Sequence, residues 1–306
     1  MRPTDIDERT ASGAHGDPDA AAPPPPRAED RIPQAGEAPW TPVEATSSRS
    51  IQSRIIAVVS PKGGLGKTTL AVNLAVGLAR IAPEEVVLVD ADLQFGDVAN
   101  VLALEPAHSL PQLVAGVAPG DDLVIKTLLT PHPAGFFVVP GAESPVEGEQ
   151  VTGEQLGDLL DQLSVIFRYV VVDTTPALGE ATLAVLDRAT DAVALSSLAV
   201  PNLRSLRTEL AVLRTIGFAP SYRHLVLNQA VDPGGLVVAD AKAILEEPID
   251  VVIPHSKNVT LSTNRGVPLL IDAPRDPAAK AFAELLARIT GLDARTFRTP
   301  TRRTNR

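Results

Sequence analysis

Ser60-Pro61-Lys62-Gly63-Gly64-Leu65-Gly66-Lys67-Thr68-Thr69 is the stretch that decides the fold. The apolar run Ile55-Ile56-Ala57-Val58-Val59 leads into it, and Leu70-Ala71-Val72-Asn73-Leu74-Ala75-Val76-Gly77-Leu78 leads out with a helical pattern. Buried strand, glycine-rich turn and helix form the context in which a phosphate-loop pattern carries a mechanism. Glycines let successive backbone N–H groups converge on phosphate oxygens, and the helix adds the positive end of its dipole. In this reading Gly63, Gly64, Leu65, Gly66, Lys67, Thr68 and Thr69 cradle phosphates, with Lys67 on the terminal ones and the Thr68 hydroxyl on Mg²⁺. The common loop reads GxxxxGK[ST]; here Pro61 stands where its first glycine belongs, and a second lysine, Lys62, opens the loop. The bland alternative is a glycine-rich turn capping a helix beside two solvated lysines, and the flanking strand and helix argue against it.

Composition narrows the chemistry. A chain of 306 residues makes one large domain or two small ones. With no cysteine there are no disulfides, thiolate metal sites, iron–sulfur clusters or cysteine nucleophiles. The five histidines show no metal-ligand spacing. No apolar run reaches the roughly 18–20 residues of a membrane span, and the N-terminus lacks a hydrophobic signal core, so a cytoplasmic location is expected. A net charge of −10 speaks against general nucleic-acid binding.

Residues 1–50 hold Pro23-Pro24-Pro25-Pro26, many Ala, Asp and Glu, and almost no β-branched or aromatic residue. Such a segment cannot offset its chain entropy by burying apolar surface and is expected to be disordered. Trp40, the only tryptophan, sits there in Ala-Pro-Trp-Thr-Pro, either a short partner motif or a lone aromatic without one. From Arg54 onward apolar strands alternate with helical patterns, which predicts an α/β fold with a mostly parallel sheet flanked by helices on both faces. The expected strands include Glu85–Asp90, Phe136–Pro140, Tyr169–Asp173, Ala192–Ser196, His224–Asn228 and Val251–Pro254, while 99–135 reads as irregular with helical patches. The domain is expected to span 51–291, followed by a polar, arginine-rich tail over 292–306.

Ligands of open parallel sheets bind beyond the carboxyl ends of the strands, and three aspartates fall there. Asp173 follows Val170-Val171-Val172, the pattern that sets a carboxylate beside Mg²⁺, through a water, in phosphate-loop proteins. Asp90 and Asp92 flank Ala91, so an extended segment points both the same way. A bare aspartate after a strand also serves as a turn residue or helix cap, and Asn228 at a strand end can cap a turn.

The KGGxGKTT loop resembles the deviant phosphate loop of the MinD/ParA ATPases, and the resemblance extends over about residues 54–290. It implies ATP and Mg²⁺ as cofactors, with Lys62 reaching the partner's nucleotide across a homodimer formed in the ATP state. It implies that Asp92 orients the attacking water, that Asp90 supports the Mg²⁺ shell with Thr68 and Asp173, and that Asn228 and Pro254 hold the adenine. Lys62, Lys67 and Asp92 would then be the catalytic set. Asp90-Ala91-Asp92-Leu93-Gln94-Phe95-Gly96-Asp97, Val200–Arg207 and Asn264-Arg265-Gly266-Val267-Pro268 are similar to the CpaE/TadZ branch, ATPases of tight-adherence pilus assembly. Two features depart from it: Asp173-Thr174-Thr175-Pro176 replaces Asp-Thr-Pro-Pro in the second switch, and residues 1–50 stand where many members carry a receiver-like domain.

The implied function is an ATP-binding, slowly hydrolysing dimerisation switch that positions a cellular assembly, a pilus secretion apparatus with its assembly proteins as partners. It would act at the inner face of the membrane or a cell pole. The alternative is a segregation or division-site ATPase acting on DNA or a membrane surface, the DNA met by arginines such as Arg204, Arg207 and Arg214. The tail lacks the apolar face of a membrane helix: Leu292 and Phe297 are its only bulky apolar residues and Pro300 interrupts it. A small-substrate ATP-dependent enzyme is the remaining class, and nothing outside the nucleotide set suggests a second-substrate site.

Overall fold

The computed structural model describes residues 53–116, 122–217, 222–230 and 236–298. The expected disordered segment 1–50, with Trp40, and the end of the tail lie outside these residues. The chain runs β1 (Arg54–Val59), α1 (Lys67–Ala79), β2 (Val86–Ala91), α2 (Val98–Val101), α3 (Leu110–Gly116), α4 (Asp122–Leu128), β3 (Thr130–His132) and β4 (Phe136–Val139). It continues α5 (Pro145–Gly148), α6 (Gly153–Ile166), β5 (Tyr169–Thr174), α7 (Glu180–Arg188), β6 (Asp191–Ser196) and α8 (Val200–Thr215). The last elements are β7 (Tyr222–Ala230), α9 (Val238–Leu245), β8 (Val251–Pro254), α10 (Lys257–Asn264), α11 (Leu269–Asp272), α12 (Pro277–Thr290) and a 3-10 turn, Ala294–Phe297.

Eight strands form one sheet in the order β3-β4-β2-β5-β1-β6-β7-β8. Every pairing is parallel except β3 with β4, an antiparallel edge in the stretch 99–135 that reads as irregular in sequence. The central strands are apolar throughout because helices cover both faces. Alternation along β1 sends Ile56 and Val58 to a cluster with α1, α11 and α12, and Ile55, Ala57 and Val59 to one with α6, α7 and α8.

Side-chain caps fix the ends of several helices. Thr152 and Gln155 form a capping box at the start of α6. Asp276 caps α12, accepting from Ala278 N at 2.8 Å while Ser256 Oγ and Asn258 Nδ2 donate to it at 2.7 and 2.8 Å, so the starts of α10 and α12 are tied together. Burial opposes the Asp276 charge, but these donors outweigh it and hold its pKa below the usual carboxylate value.

Packing continues past Gly291. Phe297 is fully buried against the α1/α12 face, and the Arg80 guanidinium donates to the carbonyls of Phe297 and Leu270. The domain therefore extends at least to Phe297, and the expectation of a solvated tail from 292 is corrected for these residues. Phenylalanine in a polar tail gains more from an apolar slot than from water.

Candidate functional site

The phosphate loop lies where β1 gives way to α1. Gly64 and Gly66 take left-handed conformations, φ 73° and 91°, which glycine adopts without strain. Gly66 has a second constraint: a Cβ there would fall 2.3 Å from Asn228 Nδ2. Lys62, Gly63 and Gly64 are exposed, whereas Leu65 and Lys67 are buried. The Ser60 hydroxyl donates to the Lys62 carbonyl at 2.7 Å, closing the loop on itself.

The segment after β5 clasps the loop. The Thr174 hydroxyl donates to the Val58 carbonyl at 2.9 Å, that of Thr175 to the Ala91 carbonyl at 3.2 Å, and Ala177 N to Ser60 O at 3.0 Å. The two threonines thus stitch the ends of β1 and β2 to β5, a role that sequence alone does not assign to Thr174-Thr175.

Asp90 and Asp173 are register partners on β2 and β5, both buried. Thr68 Oγ1 donates to Asp173 Oδ2 at 2.6 Å, while Asp173 Oδ1 is buried without a hydrogen-bond partner among the described residues. Burial pushes the Asp173 pKa up to about 7 against the Thr68 hydrogen bond and the Lys67 charge, with Asp92 and Asp97 adding to the rise. A hydroxyl and a carboxylate with one oxygen buried and unpaired, beside a phosphate loop, are hard donors that suit Mg²⁺.

Asp90 is arranged differently. Its Oδ1 accepts from Asp92 N at 3.2 Å and its Oδ2 from Val98 N at 3.0 Å, so it anchors the turn between β2 and α2. Burial and the neighbouring Asp173 carboxylate raise its pKa well above the usual value, and those two N–H groups oppose the rise. Asp92 does not continue the strand as the alternation predicts. Its Oδ1 accepts from Gln94 N and Phe95 N, each at 3.2 Å, in an Asx-type turn that bends the chain directly after Ala91.

Asn228 lies near the end of β7, where the ladder to β8 becomes irregular between Leu227 and Ala230. Its Nδ2 donates to Leu65 O at 2.7 Å and its Oδ1 accepts from Gln229 N at 2.9 Å, so in this structure the side chain braces the phosphate loop. Pro254 closes the adjacent β8. Glu209 on α8 is a residue that sequence patterning passes over: it is buried, and burial lifts its pKa to about 7 against the Lys67 charge. A glutamate within an otherwise leucine-rich helical pattern is the signal that could have found it.

Residues 53–200 match the model of the AAA domain family. Among similar proteins, the septum site-determining protein MinD of Escherichia coli is 28% identical over 261 residues, covering 80% of this chain and 94% of that protein. Among similar structures, a ParA family ATPase from Chlorobium tepidum aligns with a TM-score of 0.71 at 21% identity, over 76% of this chain and 98% of its own. MinD from Pyrococcus horikoshii, solved as a complex with Mg-ADP, aligns with a TM-score of 0.68 at 23% identity, over 78% and 96%. The chain is thus similar in sequence to MinD and in fold to solved MinD and ParA family structures.

Proposed function

We propose that this chain binds ATP with Mg²⁺, dimerises around it and hydrolyses it slowly, as a switch that positions a cellular assembly. The observation that carries this reading is Thr68 donating to Asp173 beside a phosphate loop, with the second Asp173 oxygen buried and unpaired. The similar protein from Pyrococcus horikoshii was solved with Mg-ADP, which supports the same nucleotide class here. Mg²⁺, when bound, neutralises phosphate charge. Thr68 and Asp173 would hold it, Lys67 would draw on the terminal phosphates, and Asp92 would orient the attacking water. Exposed Lys62 is free to reach a second subunit. Asn228 and Pro254 would flank the base once the loop is filled, and Asp90 would shape the Mg²⁺ shell by fixing the turn that carries Asp92.

The two roles left open by the sequence are now unequal. The similar proteins are a septum-placement ATPase and a ParA family ATPase, which favours placement or segregation over pilus assembly. The pilus role rests on the Asp90–Asp97 stretch, whose likeness to the CpaE/TadZ branch remains a sequence resemblance. Magnesium-dependent phosphate release, with sedimentation in ATP and in ADP, tests the switch; a chain monomeric in both nucleotides overturns it. Pull-down with an Asp92→Ala chain in ATP tests the role: a DNA-bound adaptor or septum protein supports placement, and secretion ATPase or pilus-platform proteins support the other.

A further inference from the structure

We propose that the cavity at the far end of α1 from the phosphate loop binds an amphiphilic monocarboxylate, an aliphatic chain with one carboxylate head. Lys67 opens α1 and Arg80 follows its last turn, which puts the two about 20 Å apart along the helix. There α1, α11, the turn after α2 and the β3–β4 hairpin surround about 860 Å³, a size that suits a small molecule. Val76, Leu102, Leu104, Val267, Leu270 and Ile271 supply apolar walls. The frame is built without a ligand. A Cβ on Gly266 would fall 2.5 Å from that of Ala103, so the loop between α10 and α11 touches the turn after α2. Asn73 Oδ1 on α1 accepts from Leu270 N at 2.9 Å, and Arg80 Nη2 donates to Leu270 O at 2.7 Å, which pins α11 to α1.

The polar groups choose the head of the ligand. Among the described residues Arg80 is the only charged one lining the cavity. Its guanidinium donates to the carbonyls of Leu270 and Phe297, which carry no charge, and no carboxylate among the described residues pairs with it. Burial lowers its pKa, with no negative neighbour to offset the effect. Two of its five N–H groups are used by those carbonyls, and three remain for an anion. His132 adds a neutral donor: burial lowers its pKa to about 4, and its Nδ1 accepts from Ala134 N at 3.1 Å, which leaves the proton on Nε2. One cation and one neutral donor match a single carboxylate and would leave a diphosphate short of partners. No aromatic ring but that of His132 lines the walls, so an aliphatic body fits where a planar ring would lack stacking partners.

The test titrates the full chain with dodecanoate, dodecanol and dodecyltrimethylammonium, each below its micelle concentration, by calorimetry. One site per chain is expected, with dodecanoate held at least tenfold tighter than the alcohol or the cation. Arg80→Met should erase that preference and leave dodecanoate no tighter than dodecanol. Because Arg80 also ties down Leu270 and Phe297, Ile271→Glu serves as a second variant. Ile271 is 44% exposed, so the fold should hold while like charge at the cavity wall weakens dodecanoate tenfold or more. Val165→Glu, at an exposed position of α6 on the other face of the sheet, should leave binding unchanged, and circular dichroism checks that each variant is folded. No saturable binding, equal affinity for the three head groups, or dodecanoate binding untouched by Ile271→Glu overturns the inference. So does displacement of dodecanoate by Mg·ADP, which would place it in the phosphate loop. Capture of phosphatidylglycerol vesicles that is lost in the Ile271→Glu chain would assign the cavity to a membrane lipid and overturn it equally.

Discussion

At the scale of single residues, an aspartate with one oxygen bonded to Thr68 and the other buried alone is costly until something binds it. Thr68→Ala and Asp173→Ala are therefore expected to weaken Mg·ATP binding by on the order of tenfold or more, and metal-free nucleotide binding much less. Titration of a fluorescent nucleotide with and without EDTA decides this, and equal losses in both conditions would remove both residues from the metal site. A second buried aspartate holds the opposite end of the sheet. Asp191 receives Arg54 Nε at 3.0 Å and the Thr190 hydroxyl at 2.7 Å, with His224 Nε2 at 3.4 Å, while Arg54 also donates to the Ile289 carbonyl of α12. Burial opposes the Asp191 charge, yet the hydrogen bonds from His224, Arg54 and Thr190 outweigh it and lower the pKa. A depressed folded pKa means stability that is complete above the unfolded value of about 4 and is lost as pH falls through the folded one. Arg54→Met leaves the buried carboxylate with only Thr190 and His224 as partners and should cost about 1–3 kcal/mol at neutral pH. Urea unfolding at pH 7 and pH 3 should show that cost shrinking on the acid side; a penalty independent of pH would count against the ion pair as its source.

At the scale of elements, the central strands were legible because a strand buried on both faces is an apolar run ending in Asp90, Asp173 or Asn228. The region from α2 to β3 was not, because its short helices are held by distant partners. The N-terminus of α2 is fixed by Asp90, and α3 begins where Leu110 N donates to Pro140 O at 2.8 Å. β3 is three residues with Pro131 at their centre, tolerable only at a sheet edge and invisible to a period-two pattern. The same logic explains the site: the loop, Thr68 and Asp173 follow from motif and position, whereas the bracing of Leu65 by Asn228 depends on a register irregularity. Contact between α5 and the turn of Asp92 makes an element-level prediction. The obstacle to a Cβ on Gly148 is the Leu93 backbone carbonyl, which cannot rotate away as a side chain would. Gly148→Ala should therefore displace that turn, lowering hydrolysis several-fold while nucleotide affinity stays near that of the parent chain. A parallel fall in affinity and rate would mean general damage and not a displaced Asp92.

At the scale of the whole molecule, ion pairs occupy part of the basic surface that sequence offers to DNA. Of the arginines that sequence offers to DNA, Arg207 pairs with Glu246 at 2.6 Å and Arg214 with Glu247, joining α8 to α9. These two side chains are thus engaged within the fold, while Arg204 on the same helix is exposed. The exposed lysine of the phosphate loop has a different prospect. Lys67 is buried and Lys62 is exposed five residues earlier on the same loop, so one can serve its own nucleotide while the other meets a facing subunit. Three variants separate these roles. Lys67→Ala should lose nucleotide affinity, because the terminal phosphates lose a charged hydrogen-bond donor. Lys62→Ala should bind ATP normally yet neither dimerise nor hydrolyse, since its proposed contact exists only across the dimer. Asp92→Ala should bind and dimerise but remain closed, with hydrolysis reduced on the order of 10²-fold or more as a positioned catalytic group is lost. Sedimentation in Mg·ATP, read alongside phosphate release, resolves all three in one experiment. A Lys62→Ala chain that dimerises like the parent would place that lysine outside the interface, and an Asp92→Ala chain hydrolysing at the parent rate would leave the turn it anchors without a catalytic part.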